Sequence, residues 1–292
     1  MRILLTNDDG IDAPGLAALA RRLHEDGHDL LVAAPAGDVS GSGTSLGTIA
    51  DGAVIPVREA GIPSLPDVAA YAVEAPPAFI ALAACTGALG EPPGFVISGV
   101  NPGHNTGRTL LHSSTVGAAI AAASCGRPAM AVSCGAAPGG RFDTAAEVAA
   151  AALVLFHEHL PRSAVLNVNV PDLDVAEILS VRRARLGRLG SFSMTFEPVL
   201  GGLRMRHRPA TERQLREQPH RDGDSALVAA GHVTLTALAG GIEDPALTGA
   251  VDELAAGVAH RLAVLGAQTT MALLTLSAPP GDAGSAWRAR PG

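Results

Sequence analysis

A chain of 292 residues with 47% apolar residues is long enough for one large α/β domain, or for one domain with an appendage. It contains no lysine, which excludes P-loop nucleotide hydrolases, Schiff-base enzymes and any mechanism that requires a catalytic lysine. The net charge is −7 and the arginines form no long basic cluster, so neither a nucleic-acid polymer nor a membrane is expected as a partner.

The cysteines and the N-terminus bear on the compartment. Cys85, Cys125 and Cys134 show no CxxC spacing and lie in alanine-rich surroundings, a pattern that indicates buried, reduced thiols. The N-terminus opens directly into a strand pattern without an export signal, and no uninterrupted apolar run reaches membrane-spanning length. These observations predict a cytoplasmic protein.

Strands alternate with helices over the first part of the chain. A short apolar strand at residues 2–6 is followed by a polar turn and by a helix whose apolar positions recur at helical spacing from Leu16 to Leu23. Further strands are predicted at 29–34, 71–73, 94–97, 129–132 and 164–170, and further helices at 78–89, 113–124 and 144–160. The alternation predicts a doubly wound, mostly parallel, Rossmann-like sheet, with residues 1–186 as an α/β core.

The character of the sequence changes after residue 186. Residues 187–238 are rich in arginine and proline, with two strands predicted at 224–231 and 233–238, and are interpreted as an extended arm or hairpin. This segment is too polar to form its own core and would leave strand edges unpaired, so it is expected to pair with another subunit. Residues 239–292 are predicted to hold a helix at 247–265 and a flexible tail from about 279.

Three polar loops each follow a predicted strand, and ligands bind at the carboxyl ends of the strands in open parallel sheets. The first loop contains Asp8 and Asp9. Adjacent carboxylates repel each other, and a hard divalent cation, Mg²⁺ or Mn²⁺, would supply the counter-charge. The alternative is an ordinary helix-entry turn, since Asp and Asn favour such positions.

The other two loops offer neutral oxygen atoms. Ser40 lies in a Gly/Ser-rich loop that could also be flexible and inert, and Asn101 follows a buried strand closely enough to offer its amide oxygen to a metal. Asn105 lies in the same loop as Asn101 and is a candidate substrate contact, although a turn or a loop-bracing role is the simpler interpretation.

The start of the predicted helix at residue 113 is a candidate phosphate site. Ser113, Ser114 and Thr115 are typical N-cap residues, yet the free N–H groups of a helix N-terminus also bind phosphate. Arg108 is a candidate additional cation. Either His104 or His112 could protonate a leaving group, and the sequence does not choose between them.

Several of these segments together resemble the SurE (survival protein) nucleotidases. The matching runs are ILLTNDDGI at residues 3–11, SG at 40–41 with SL at 45–46, SGVNPGHNTG at 98–107, SSTV at 113–116, LNVNVPD at 166–172 and residues 224–236. The resemblance implies one divalent metal ion per subunit, held by Asp8, Asp9, Ser40 and Asn101, with Asn7 and Gly41 near the substrate phosphate. It further implies hydrolysis of nucleoside monophosphates without a covalent cofactor, and homodimers or homotetramers formed through a C-terminal arm.

The sequence departs from that family at positions that affect substrate choice. Residues 74–78 read EAPPA where the family usually has Gly-Thr-Pro-x-Asp, and His112 and Ser114 stand where Tyr and Gly are usual. The substrate could therefore be a phosphorylated intermediate of a specialised pathway. Two further alternatives are a haloacid-dehalogenase-type phosphatase, which would want an Asp-x-Asp motif and a lysine, and a non-catalytic metal- or nucleotide-binding protein.

Overall fold

The computed structural model describes residues 1–47, 50–63, 65–135, 140–159, 164–190, 192–216 and 222–239. The strands are β1 (Arg2–Thr6), β2 (Asp29–Pro35), β3 (Val57–Ile62), β4 (Leu65–Val73), β5 (Phe95–Pro102), β6 (Ala129–Cys134), β7 (Ala164–Val170), β8 (Ser180–Arg183), β9 (Phe192–Val199), β10 (Gly202–Pro209) and β11 (His232–Ala239). The α-helices are α1 (Pro14–Glu25), α2 (Pro77–Cys85), α3 (Ser114–Ser124), α4 (Phe142–His159), α5 (Glu212–Arg216) and α6 (Asp224–Ala229). Two 3-10 turns span Gly107–His112 and Val175–Glu177.

Nine strands form one sheet in the order β3-β4-β2-β1-β5-β6-β7-β11-β8. The central strands, from β4 to β7 in that order, are all parallel, while β3 and β11 join antiparallel to their neighbours β4 and β7. The predicted doubly wound, mostly parallel fold is confirmed. The strand order reverses between β1 and β5, and in such folds ligands bind in the crevice at this switch point.

Helices cover both faces of the sheet. On one face, α1 and α4 pack through apolar residues such as Leu19 and Phe156, and the Phe156 ring meets that of Phe95 edge-on with centroids 4.9 Å apart. On the other face, α2 and α3 pack through small and branched side chains such as Ile80 and Ala118. The small side chains of the alanine-rich helices allow the helices to pack closely on the sheet, whose strands supply large buried residues such as Leu5 and Ile97.

The helix after the first strand shows how the sequence specifies such elements. Leu16, Leu19 and Leu23 all lie on the buried face of α1, as their spacing predicts. Pro14 stands at the helix start, where its missing N–H costs nothing. The helix ends before Gly27, whose φ of 75° is the left-handed conformation that glycine adopts without strain.

The prediction of a strand at residues 224–231 is wrong. Residues Asp224–Ala229 form the short helix α6, in whose first turn the Asp224 carboxylate accepts the Ser225 N–H. The predicted strand at 233–238 does exist within β11, but it pairs with β7 and β8 inside the main sheet. A separate two-stranded antiparallel sheet is formed by β9 and β10. The division of the chain into core, arm and C-terminal region stays a prediction.

Two other findings concern the ends of the chain and its helices. The helix predicted at 247–265 and the tail predicted from about 279 lie outside the described residues. Within the part of the chain that the structure describes, no helix has the length and apolarity needed to cross a membrane.

Candidate metal and phosphate site

The acidic turn lies directly after the central strand β1. The Asp8 side chain is only 3% exposed, and its Oδ1 accepts a hydrogen bond of 2.7 Å from the Thr115 hydroxyl on α3. The turn is closed by Asn7, whose Nδ2 donates to the Gly10 carbonyl oxygen over 2.9 Å. Asp8 is thereby fixed against the start of α3, more than a hundred residues later in the chain.

The two carboxylates of this turn disfavour each other's charge. Burial, followed by the neighbouring charges of Asp8 and Asp38, raises the pKa of Asp9 from its ordinary value to about 7. Burial also raises the pKa of Asp8, although the hydrogen bond from Thr115 opposes that change. A turn that places two carboxylates in this environment is stabilised by a cation.

The second loop, residues 36–47, lies against both the acidic turn and α3. The Val39 N–H donates to the Asp8 carbonyl oxygen over 2.9 Å, and the Ser42 N–H donates to the Ser114 hydroxyl over 2.9 Å. A Cβ on Gly117 would lie 2.1 Å from the Gly43 carbonyl oxygen, so only glycine permits this approach. Ser40 and Gly41 are exposed on this loop.

Asn101 reaches the same edge from the neighbouring strand. Strands β1 and β5 run parallel, with Thr6 opposite Ser98, so both enter the switch point side by side. The strand β5 extends beyond its predicted end at residue 97, so that Asn101 lies inside it. The pairing of β5 with β6 is irregular between Ser98 and Asn101. The Asn101 Nδ2 donates to the Gly103 carbonyl oxygen over 2.6 Å, which orients the amide group.

The start of α3 combines a cap with contacts to the other two loops. Ser113 is the N-cap residue, and its hydroxyl accepts the Val116 N–H over 3.2 Å. Ser114 and Thr115 contact the second loop and the acidic turn, respectively, through their hydroxyl groups. The N-cap interpretation of Ser113 is confirmed, and the same helix start lies beside Asp8.

Asn105 is bonded on several sides within the third loop. Its Nδ2 donates to the Ser133 hydroxyl over 2.8 Å, and its N–H donates to Asn169 Oδ1 over 2.8 Å. The side chains of Asn167 and Asn169 both donate to the Asn105 carbonyl oxygen. These contacts favour the loop-bracing interpretation of Asn105 over direct contact with substrate.

The two candidate histidines and Arg108 have different environments. The His104 Nε2 lies 2.8 Å from the Val170 carbonyl oxygen, and burial lowers the pKa of this histidine. A neutral ring that donates to a backbone carbonyl braces the loop rather than delivering a proton. Arg108 and His112 are exposed on the 3-10 turn before α3.

The residues at this edge fit a hard divalent cation. Within the described residues, the buried oxygens Asp9 Oδ2 and Asn7 Oδ1 have no hydrogen-bond partner, which is the state expected of atoms arranged for an ion. Across the same described ranges, no group of three or more His, Cys, Asp or Glu side chains could hold a metal. The metal site predicted here combines the two carboxylates with neutral oxygens, those of Ser40 and Asn101.

Sequence reasoning missed several residues that support these loops. The hydroxyls of Thr6 and Ser98 are fully buried on adjacent strands, and they lack a partner among the described residues. Asp224 is also fully buried and accepts the Gly107 N–H over 2.9 Å. The polar residues at alternate positions 167 and 169 of an otherwise apolar strand were a usable signal, whereas nothing near Asp224 indicated its partner.

A comparison with known families shows which family the chain belongs to. The sequence pattern described as Survival protein SurE matches residues 3–191, which include the acidic turn, the second loop and the start of α3. The chain belongs to the SurE family. Its membership displaces the haloacid-dehalogenase alternative, which the absence of lysine already disfavoured.

Similar SurE proteins are known from several bacteria. A 5′-nucleotidase SurE of Xanthomonas campestris pv. campestris is 40% identical over 190 residues, which make up 64% of this chain and 70% of the relative. A 5′-nucleotidase SurE of Xanthomonas axonopodis pv. citri is 39% identical over the same length and with the same coverage. The crystal structure of the SurE protein from Aquifex aeolicus has a TM-score of 0.72 and 25% identity, and the match covers 87% of this chain and 99% of that one.

Proposed function

We propose that this SurE family member is a divalent-metal-dependent phosphomonoesterase that hydrolyses nucleoside 5′-monophosphates, with 3′-monophosphates as a second class to be tested. As a member of the family, the chain is a phosphoric monoester hydrolase. The observation that carries the proposal is the 2.7 Å hydrogen bond between Thr115 and Asp8. This hydrogen bond brings a carboxylate that is suited to a cation next to a helix N-terminus that is suited to a phosphate. The two groups can therefore act on the same phosphate ester.

One Mg²⁺ or Mn²⁺ ion per subunit would be held by Asp8, Asp9, Ser40 and Asn101. When bound, the ion supplies Lewis-acid stabilisation of the phosphoryl oxygens and polarises the attacking water. Two observations support this assignment. Asp9 Oδ2 is buried and has no hydrogen-bond partner among the described residues. The Asn101 amide nitrogen is already bonded to Gly103, which leaves the amide oxygen for the metal.

The chain's own groups would bind and orient the phosphate. The first N–H groups of an α-helix have no partner within the helix. In α3, the Ser113 hydroxyl accepts one of these N–H groups, that of Val116. The N–H groups of Ser114 and Thr115 are then the donors proposed for the phosphoryl oxygens, because such donors carry a partial positive charge. Arg108 would add a full positive charge from the preceding turn.

The remaining residues of the proposed site lie around this centre. Asn7 and Gly41 would border the phosphate from the acidic turn and the second loop. Asn105 was proposed as a further contact, and its buried hydrogen bonds support instead a role in holding the third loop. The enzyme would act in the cytoplasm on a small phosphate monoester, as a homodimer or homotetramer.

A second candidate keeps this chemistry but changes the substrate to a phosphorylated intermediate of a specialised pathway. The observation that favours it concerns residues 74–78, which lack the family's usual threonine and aspartate. A Cβ on Gly47 would lie 3.2 Å from Pro76 Cδ, so this segment borders the second loop. Removing polar groups from a binding cleft weakens or changes discrimination among substrates.

A panel of substrates with controlled metal tests both candidates. Metal-free enzyme is assayed with and without Mn²⁺ on p-nitrophenyl phosphate and on purine and pyrimidine 5′- and 3′-monophosphates. We expect Mn²⁺-dependent hydrolysis of both kinds of substrate, with weak preference among the nucleotides. Hydrolysis of p-nitrophenyl phosphate without any nucleotide turnover would support the specialised substrate. No turnover by folded, Mn²⁺-binding protein would support the non-catalytic alternative.

A further inference from the structure

A buried carboxylate lies beyond the part of the chain that the SurE sequence pattern covers, which ends at residue 191, although it falls within the run at 224–236 that resembles the family. Asp224 has no exposed surface, and its two oxygens accept three backbone N–H groups. Oδ2 accepts that of Gly107 over 2.9 Å, while Oδ1 accepts those of Gly187 and Ser225, each over 2.8 Å. Buried charges are tolerated only where such donors compensate for the loss of water, so this arrangement is specific for a carboxylate.

The backbone around Asp224 is held independently of its side chain. The Asp224 N–H donates to the Arg185 carbonyl oxygen over 2.8 Å, and the Arg185 N–H donates to the Asp222 carbonyl oxygen over 3.0 Å. The Ser225 hydroxyl also bonds the Leu189 carbonyl oxygen over 2.5 Å. The carboxylate therefore projects from a fixed support towards Gly107.

The segment that Asp224 holds, residues 107–112, is the last part of the third loop and leads directly into α3. Gly107 opens the 3-10 turn that carries Arg108 and ends at His112, directly before the N-cap of α3. A Cβ on Gly107 would lie 2.4 Å from the Leu189 carbonyl oxygen, so the turn packs closely on the support. At its other end, a Cβ on Gly43 of the second loop would lie 3.3 Å from the Leu111 carbonyl oxygen.

We propose that Asp224 is a positioning residue for phosphate binding, acting through Gly107 to fix residues 107–112 and, with them, Arg108 and the start of α3. The inference rests on the proposed function, because it assumes that this helix start receives the substrate phosphate. It assigns to the C-terminal part of the chain a role in substrate binding and none in holding the metal. Among the three proposed site loops, Asp224 bonds only the third, through Gly107, and its other two backbone donors, Gly187 and Ser225, belong to the support.

Replacing Asp224 with asparagine should break one contact selectively. We expect the asparagine oxygen to take the place of Oδ1, because Oδ1 accepts two backbone N–H groups, those of Gly187 and Ser225, whereas Oδ2 accepts only that of Gly107. The Nδ2 group then faces the Gly107 N–H, and two donors cannot bond each other. Asp224→Asn therefore releases residues 107–112 while keeping the rest of the support. Asp222→Asn is the matched control, because it makes the same charge change at a side chain that is 54% exposed.

The experiment compares wild type, Asp224→Asn and Asp222→Asn as Mn²⁺-loaded enzymes. For Asp224→Asn we expect the KM for p-nitrophenyl phosphate, and the dissociation constant of inorganic phosphate measured by calorimetry, to rise on the order of tenfold or more, because the phosphate donors are misplaced. The kcat should change much less, and the Mn²⁺ affinity should equal that of wild type. Hydrogen exchange of residues 105–112 should become faster, while that of residues 8–10 stays the same. Asp222→Asn should match wild type throughout.

Two outcomes would overturn the proposal: a folded Asp224→Asn variant with wild-type KM and exchange, or a loss of Mn²⁺ affinity that parallels the loss of activity. If Asp224→Asn does not fold, Gly107→Ala tests whether displacing the same turn from its support weakens phosphate binding, because its Cβ meets the Leu189 carbonyl oxygen. It should give the same rise in KM and in exchange, and wild-type values would contradict the proposal. The exchange and inorganic-phosphate binding measurements need no turnover, so they judge this inference separately from the proposed phosphatase activity.

Discussion

At the residue scale, the two adjacent aspartates differ although the sequence makes them look equivalent. The Asp8 carboxylate is bonded to Thr115, whereas Asp9 Oδ2 is buried without a partner among the described residues. The pKa of Asp9 is raised to about 7 by burial and by the charges of Asp8 and Asp38. In metal-free protein at neutral pH, Asp9 is therefore close to the midpoint of its titration.

The raised pKa of Asp9 predicts that metal binding releases protons. A protonated carboxyl must lose its proton before it binds a cation, so the apparent Mn²⁺ affinity should rise from pH 6 to pH 8, on either side of a pKa of about 7. Calorimetric titration of metal-free protein in two buffers of different ionisation enthalpy measures both the affinity and the proton release. The release should be largely absent in Asp9→Asn, and an affinity independent of pH in wild type would contradict the assignment.

Residue-level prediction succeeded where the chemistry is local in sequence. Asp8 and Asp9 are neighbours, and a cap such as Ser113 needs only the residues of its own helix. Asp224 and Asn169 could not be assigned in this way. Their partners, Gly107 and Asn105, are separated from them by 117 and 64 residues, and the contacts exist only after the sheet has formed.

At the element scale, α3 and the second loop form one unit, because Gly117 of α3 admits the Gly43 carbonyl. Substituting alanine for Gly117 would place Cβ 2.1 Å from that oxygen. We expect Gly117→Ala to cost about 1–3 kcal/mol in free energy of unfolding, as for other overpacked sites, and to lower kcat/KM on p-nitrophenyl phosphate. Chemical denaturation and steady-state kinetics measure the two effects.

Gly37→Ala is the matched control for this prediction. Gly37 lies at the start of the second loop, and in the described part of the chain nothing comes within 4 Å of a Cβ placed there. It should keep the stability and activity of wild type. Equal stability of Gly117→Ala and Gly37→Ala would show that the second loop does not depend on its approach to α3.

Elements with a single strong pattern were predictable, and short ambiguous ones were not. The buried strands β1 and β7 and the leucine stripe of α1 each have one periodicity and clear ends. Residues 224–231 are a short apolar run, for which periodicity does not separate helix from strand. In β9, Phe192, Met194 and Phe196 alternate with polar residues, and this period-two signal was overlooked.

At the scale of the whole molecule, the β9–β10 hairpin has one apolar and one basic face. Phe196 lies opposite Met205, and they are 60% and 53% exposed, with Leu203 on the same face 70% exposed. The other face carries Arg204, Arg206 and Arg208 at alternate positions. An exposed apolar face on an isolated two-stranded sheet is unfavourable in a monomer.

We therefore predict that the hairpin pairs with another subunit. Light scattering at micromolar concentration should give the mass of a dimer or tetramer. Phe196→Ser combined with Met205→Ser should shift the mass towards the monomer, whereas Arg204→Ser on the opposite face should not. A wild-type protein that is monomeric at micromolar concentration would contradict this prediction.

The most direct test of the account is the turnover of Asp9→Asn at saturating Mn²⁺. The substitution keeps the shape of the side chain but removes one charge from the proposed metal site. We expect kcat on p-nitrophenyl phosphate to fall by about a hundredfold or more in a folded protein, as for other groups that define an active site. Asp12→Asn, the same change at an exposed residue three positions away, should keep wild-type kcat. Near-normal turnover by Asp9→Asn would show that the acidic turn after β1 is not the centre of the phosphatase site.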